Sequence, residues 1–175
     1  MYAIAGIGSR STEPLILAEM EKIGIWCKQT NITVRSGHAA GADYAFELGS
    51  QSKCVAYLPW PGFNANLVSD AELVVYKPDF ASVALAAKYH PAYDRLTQGA
   101  KKLMGRSGWQ VLGPDMKNKV NAVVCWTEDY QKPSGGTSHA IRIANAYGIP
   151  VINMSDPNFQ TAEDVIVVLK TILGL

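Results

Sequence analysis

Three short loops of this 175-residue chain combine glycine with hydroxyl or arginine side chains. Glycine lets a backbone approach an anion closely, and a helix that starts there offers unpaired N–H groups and a partial positive charge. Arginine adds a planar fork that matches phosphate oxygens. The pattern therefore predicts a phosphate or nucleotide site. The loops are Gly6-Ile7-Gly8-Ser9-Arg10, Arg35-Ser36-Gly37-His38-Ala39-Ala40-Gly41-Ala42-Asp43 and Pro133-Ser134-Gly135-Gly136-Thr137.

The elements that would position these loops are short apolar strands alternating with helices. Nearly continuous apolar runs indicate strands buried on both faces, as in a parallel sheet covered by helices. The strands are predicted at 3–7, 32–34, 54–58, 73–76, 122–126 and 149–153. The helices are predicted at 13–28, 43–48, 82–89, 94–104, 138–147 and 161–173. This rhythm predicts a single α/β domain over residues 1–175 with a mostly parallel sheet and helices on both faces.

Several local signals set the expected helix ends. Thr12 and Thr161 are predicted N-caps, and Gly49 and Gly105 are predicted stops. Asp43 could cap the second helix or hold Arg35, and capping is the favoured interpretation. In a parallel sheet all three glycine loops would lie at the carboxyl edge, where ligands bind in open α/β folds.

The expected ligand contacts follow from the loops. Arg35 is the predicted charge partner of the phosphate, and Trp60, Arg95 and Arg106 are expected on the base or sugar side. The predicted phosphate-binding residues are Gly8, Ser9, Arg10, Arg35, Ser36, Gly37, Gly41, Asp43, Ser134, Gly135, Gly136 and Thr137.

The stretch from 90 to about 120 interrupts the rhythm as an inserted basic helix-loop segment. Seven basic and two acidic residues lie between Lys88 and Lys119, with Tyr89, Tyr93 and Trp109 among them. Such a segment could track a nucleic-acid backbone and stack its bases. A solvated helix face that also covers the nucleotide pocket is the favoured alternative.

Other classes of protein are disfavoured. The first loop has Ser11 where a dinucleotide-binding pattern needs glycine, and no phosphate-binding GxxxxGK[ST] loop exists. No cofactor is expected, and His38, His90 and His139 lack metal-ligand spacing. The net charge of +1 excludes a strongly cationic nucleic-acid wrapper.

The location expected from composition is the cytoplasm. Cys27, Cys54 and Cys125 form no CxxC pair, which favours a reducing compartment, and Cys54 and Cys125 are expected in the core. No apolar run reaches the roughly 18 residues of a membrane span, so no membrane partner is expected. The apolar start at Met1 has no basic leader of a secretory signal.

The three loops resemble those of the SLOG superfamily of Rossmann-like proteins. Gly8-Ser9-Arg10 is similar to the GSR start of its DNA-processing branch, and residues 36–43 are similar to that branch's SGxAxGxD segment. Ser134-Gly135-Gly136-Thr137 resembles the glycine-threonine loop shared across the superfamily. The resemblance implies a Rossmann-like fold, a short phage-type single-domain member acting in the host cytoplasm, and a homodimer or higher oligomer.

The resemblance also sets the functional alternatives. The main expectation is a protein that binds a nucleotide or nucleotide-derived small molecule. An N-glycoside hydrolase acting on nucleoside monophosphates is one alternative, but Ala140 stands where phosphoribohydrolases carry glutamate. Glu128 and His139 are the remaining catalytic candidates. Single-stranded nucleic-acid binding is the other alternative, although the accessory domains of DNA-processing protein A are not expected here.

Overall fold

A computed structural model describes residues 1–175 as a parallel sheet flanked by six helices, which confirms the predicted α/β class. The strands are β1 (Ala3–Gly6), β2 (Thr33–Ser36), β3 (Cys54–Leu58), β4 (Glu72–Val75), β5 (Ala122–Cys125) and β6 (Val151–Asn153). The helices are α1 (Pro14–Gln29), α2 (Ala42–Ser50), α3 (Phe80–Tyr89), α4 (Gln98–Leu112), α5 (Gly135–Ala146) and α6 (Ala162–Leu173). Single 3₁₀ turns occur at Gln51–Lys53, Tyr93–Arg95 and Pro157–Phe159.

The strand order places a topological switch at the centre of the sheet. The order is β4-β3-β2-β1-β5-β6, and every neighbouring pair is parallel. The chain therefore builds outward from β1 to β4 and returns to the other side of β1 with β5. In open α/β sheets, the crevice outside the carboxyl ends of the strands at such a switch is where ligands bind.

Two apolar layers cover the faces of the sheet. On one face, Met20 of α1, Phe46 of α2 and Leu169 of α6 are fully buried in one cluster. On the other, Leu112 of α4 and Ile143 of α5 belong to a second cluster. Cys54 and Cys125 are fully buried, as predicted, and burial raises the pKa of the Cys125 thiol to about 12. None of the helices is both long and apolar enough to cross a bilayer.

Helices α1 and α2 cross so closely that only glycine fits at their contact. A Cβ on Gly24 would lie 2.7 Å from the carbonyl oxygen of Phe46 and 2.8 Å from the backbone nitrogen of Ser50. Gly49, predicted to end α2, lies inside it, and a Cβ there would overlap the backbone of Glu21. Gly49 thus lies one residue before the end of α2, close to the predicted stop, and it also permits the close helix approach.

Helix α4 differs most from its prediction. It begins at Gln98 and runs through Gly105 to Leu112, whereas a helix over 94–104 was expected. The helix continues through Gly105, where a Cβ would overlap the hydroxyl and ring of Tyr76. Trp109 then packs edge-on against Tyr76, with ring centroids 5.1 Å apart. The predicted basic segment therefore contributes a helix to the layer over β3 and β4.

The two predicted threonine caps have different outcomes. Thr161 is confirmed as the N-cap of α6, where its hydroxyl accepts the N–H of Asp164. The prediction for Thr12 was wrong, since Glu13 is the N-cap of α1 and supplies no side-chain cap. The hydroxyl of Thr12 instead donates to the carbonyl of Ser9 at 2.7 Å and so holds the first loop.

The crossing of α1 and α2 can be tested with Gly24→Ala. The added methyl group meets backbone atoms of α2 that no rotamer change can move. We expect a loss of about 1–3 kcal/mol in the free energy of unfolding, measured by urea denaturation. Gly99→Ala is the control, because its Cβ would have no neighbour closer than 3.7 Å. Equal stability of Gly24→Ala and the wild type would contradict this packing.

Candidate ligand-binding site

A cavity of about 690 Å³ opens at the carboxyl ends of β1 and β5, at the switch point of the sheet. Its walls come from the first loop, the middle of α4 and the start of α5. This volume is in the range of small-molecule sites. The sequence-predicted residues that line it are Gly8, Ser9, Arg10, Asp43, Arg106, Ser134, Gly135, Gly136 and Thr137.

The start of α5 directs unpaired backbone donors at this cavity. Gly135 has a φ of +73°, a backbone conformation that glycine adopts without strain. Ser134 is the N-cap, but no side chain caps the helix. The N–H groups of Gly135, Gly136 and Thr137 therefore have no partner in the chain. Together with the helix dipole they give this wall of the cavity a partial positive charge.

Arg106 of α4 supplies a second group that can donate hydrogen bonds to an anion, and it carries a full positive charge. Its Nη1 donates to the carbonyls of Gly37 and Tyr57, the latter at 3.2 Å. Its Nε is buried without any partner, and its Nη2 makes no hydrogen bond within the chain. No carboxylate lies within ion-pair distance. Burial lowers the pKa of this guanidinium, with the negative charges of Asp43 and Glu47 opposing the shift.

Asp43 ties the first two loops together. Its carboxylate accepts the N–H of Gly8 at 3.0 Å and that of Gly37 at 2.8 Å. The capping prediction was wrong, since Gly41 is the N-cap of α2 and the Asp43 side chain turns back toward the loops. Burial raises the pKa of Asp43 to about 6; the Arg106 charge opposes this shift and the Glu47 charge adds to it.

This arrangement changes the predicted role of two loop amides. The N–H groups of Gly8 and Gly37 were expected to face a phosphate, but both are bound to Asp43. The N–H groups at the start of α5 and the Arg106 guanidinium, by contrast, remain available to an anion in the cavity. The first two loops form the frame that holds this surface in place.

Glu47 is a buried residue of this frame that the sequence reasoning missed. Its carboxylate accepts the hydroxyl of Ser36 and, at 3.0 Å, the N–H of His38. Its other oxygen lies 2.7 Å from Nδ1 of His38, whose φ is +56°. The signal was available, because Glu47 lies four residues after Asp43 and so on the same face of α2.

Several predicted ligand residues lie outside the cavity lining. Arg35 is buried and donates from Nη1 to the carbonyl of Asn118 at 2.7 Å, so it joins β2 to the segment between α4 and β5. Ser36 is fully buried against Glu47. Gly37 lies beneath Arg106, and Gly41, with a φ of +88°, packs against Ser9 and Arg10. Ser36, Gly37 and Gly41 therefore support the cavity walls without lining them.

The aromatic side of the cavity also differs from expectation. Trp60 does not line the cavity, but its ring packs edge-on against Phe63, which does, with 5.2 Å between centroids. Arg95 lies in a 3₁₀ turn away from the cavity. Gln110, which the sequence reasoning missed, lies one turn after Arg106 on α4 and lines the cavity.

The two catalytic candidates do not reach the cavity. Glu128 is exposed beyond β5. His139 is fully buried, with its ring centroid 5.7 Å from that of His90. Neither of its nitrogens forms a hydrogen bond, although nearby backbone carbonyls favour the charged ring. Burial, with help from the Arg142 and His90 charges, lowers the pKa of His139 to about 4.

No family model and no curated protein sequence matches this chain. Among solved structures, it is similar to DNA processing protein A from Helicobacter pylori, described with its single-stranded DNA binding mode. The TM-score is 0.62 with 16% identity over 87% of this chain, which spans 64% of the length of that protein. It is also similar to the molybdenum cofactor carrier protein from Chlamydomonas reinhardtii, with a TM-score of 0.60 and 11% identity over 100% of both chains.

These likenesses confirm the Rossmann-like fold that the loop motifs predicted. The identities are too low to transfer a ligand or an activity from either protein. The ligand of this chain depends on the residues that line its own cavity.

The burial of His139 predicts a specific pH dependence of stability. The pKa of His139 in the folded protein lies below its unfolded value of 6.5. Between pH 6.5 and about 4, this imidazole therefore takes up a proton in the unfolded chain but not in the folded one. Acidification through this window should cost roughly 3 kcal/mol of unfolding free energy from this residue. Urea denaturation of His139→Leu should show a correspondingly smaller loss than the wild type. Identical pH profiles would contradict a neutral, buried imidazole.

Proposed function

We propose that this protein binds a nucleotide or nucleotide-derived small molecule in the cavity at the switch point of the sheet. The anionic group of the ligand lies between the N-terminus of α5 and Arg106. The rest of the ligand extends along the wall formed by α4 and Phe63.

The observation that carries this proposal is the unpaired edge of Arg106. Two backbone carbonyls fix Nη1, so the guanidinium cannot rotate freely. Its Nη2 makes no hydrogen bond in the chain, whereas its Nε is enclosed by the protein and also lacks a partner. A buried cation without a carboxylate partner is costly, and an anion that accepts from Nη2 would offset that cost.

The α5 N-terminus supports the same location. Its unpaired N–H groups and Arg106 line one cavity. Arg10, exposed at the end of the first loop, lines it too and adds a mobile positive charge at its mouth. Phosphate groups favour sites that combine the N–H groups of a helix start with arginine side chains. Here these are the start of α5, the fixed Arg106 and the exposed Arg10.

Single-stranded nucleic-acid binding is the second candidate. Lys102 is exposed on α4 directly before Leu103, which lines the cavity, and Lys101 lies 5.1 Å from the ring of Tyr93. A strand could thus continue from the cavity across the basic half of α4. Such binding would weaken steeply with salt and would be lost in Lys101→Glu with Lys102→Glu.

The proposal is tested by calorimetric titration of the four common nucleoside 5′-monophosphates. We expect Arg106→Gln to weaken binding by about 10- to 100-fold, because hydrogen bonds to charged groups contribute roughly 1.5–3 kcal/mol. Arg106→Lys should bind with intermediate affinity, since it keeps the charge and loses the fork.

The matched control is Arg95→Gln, which removes the same charge outside the cavity. It should bind like the wild type. Equal affinity of Arg106→Gln and Arg95→Gln, with both variants folded, would reject the proposed site. Binding of a single-stranded oligonucleotide but of no mononucleotide would favour the second candidate.

A further inference from the structure

Three polar side chains converge on Gly37 beneath the cavity. Asp43 accepts the N–H of Gly37, and Arg106 donates to its carbonyl. A Cβ on Gly37 would lie 2.6 Å from the amide nitrogen of Gln110. Asp43, Arg106 and Gln110 all line the cavity, and we call them the inner wall. An acceptor, a cation and an amide are thus held side by side.

Asp43 gives the inner wall a negatively charged hydrogen-bond acceptor, which suits a hydroxyl group and not a phosphate. It is the only acidic residue in the cavity lining, and it is 3% exposed. Each carboxylate oxygen accepts one backbone N–H, which leaves a lone pair on each for a further donor. Hydroxyl groups supply such donors. A second phosphate beside this carboxylate would instead be repelled.

Gln110 gives the wall a group that both donates and accepts. Its side chain lines the cavity, is 3% exposed and makes no hydrogen bond within the chain. Its donor and its acceptor are therefore both available to a ligand. A hydroxyl group can both donate to this amide and accept from it, so a neighbouring pair of hydroxyls would satisfy Gln110 and Asp43 together.

We propose that the inner wall selects a sugar carrying a single phosphate, so that a sugar monophosphate is the smallest ligand bound selectively and a nucleobase is not required. This inference rests on the proposed function and narrows its ligand class. The phosphate lies at Arg106 and α5, and the sugar hydroxyls contact Asp43 and Gln110. Asp43 thereby determines specificity against pyrophosphate and longer phosphate chains.

The test uses calorimetric titration of ribose 5-phosphate, inorganic phosphate and pyrophosphate, at a pH well above 6 so that Asp43 is ionised. Ribose 5-phosphate should bind the wild type at least about tenfold more tightly than inorganic phosphate, which corresponds to two modest hydrogen bonds. Pyrophosphate should bind no more tightly than inorganic phosphate.

Substitutions in the wall separate sugar binding from phosphate binding. Gln110→Leu should reduce the affinity for ribose 5-phosphate toward that of inorganic phosphate, and leave inorganic phosphate unchanged. Asp43→Asn removes a sugar contact and also one of the two bonds that join the loops, so it is read as a ratio: the preference for ribose 5-phosphate over inorganic phosphate should fall, and that for pyrophosphate over inorganic phosphate should rise. Gln160→Leu is the matched control, because it removes the same amide as Gln110→Leu at an exposed position outside the cavity.

The outcomes separate a failure of this inference from a failure of the proposed function. If nucleoside monophosphates bind through Arg106 but ribose 5-phosphate binds no better than phosphate, the sugar-selective wall is overturned and the proposed function stands. If no phosphate compound binds, both fail. Should Asp43→Asn not fold, Gln110→Leu decides alone, and unchanged ribose 5-phosphate binding in that variant overturns the inference.

Discussion

The carboxylate of Asp43, between the amide groups of Gly8 and Gly37, is the interaction on which the site depends. It joins the loop after β1 to the loop after β2, which are separated by the whole of α1. The carbonyl of Gly37 also accepts a hydrogen bond from Arg106, so the second loop in turn holds α4 over the sheet. Three distant parts of the chain are thereby held around one cavity.

That frame contains a buried cation that forms no ion pair. Arg106 is buried without an ion pair, and the N-terminus of α5 adds a partial positive charge facing it. A protein interior tolerates such an arrangement when a ligand completes it. Ser36, His38 and Glu47, bonded to one another beneath the second loop, are buried and hold it in place. They are the rigid support that a preorganised site requires.

The sequence predicted the parallel sheet, the three loops and their meeting at one edge, because apolar strand runs and glycine-rich strand ends are local signals. It did not predict the direction of the Arg35 side chain, which depends on a partner 83 residues away. The same limit applied to Gly105, whose environment is set by the ring of Tyr76. Donor patterns were visible in the sequence, but which donors were already paired depended on tertiary contacts, as Gly8 shows.

The most direct test of the account is side-chain NMR of Arg106 during titration with a nucleoside 5′-monophosphate, with its Nε–H signal assigned by its loss in Arg106→Lys. The account predicts that this signal shifts saturably, at the same ligand concentration as the backbone amides of Gly135 and Gly136. Saturable shifts elsewhere in the protein while the Arg106 and α5 signals stay unchanged would contradict it.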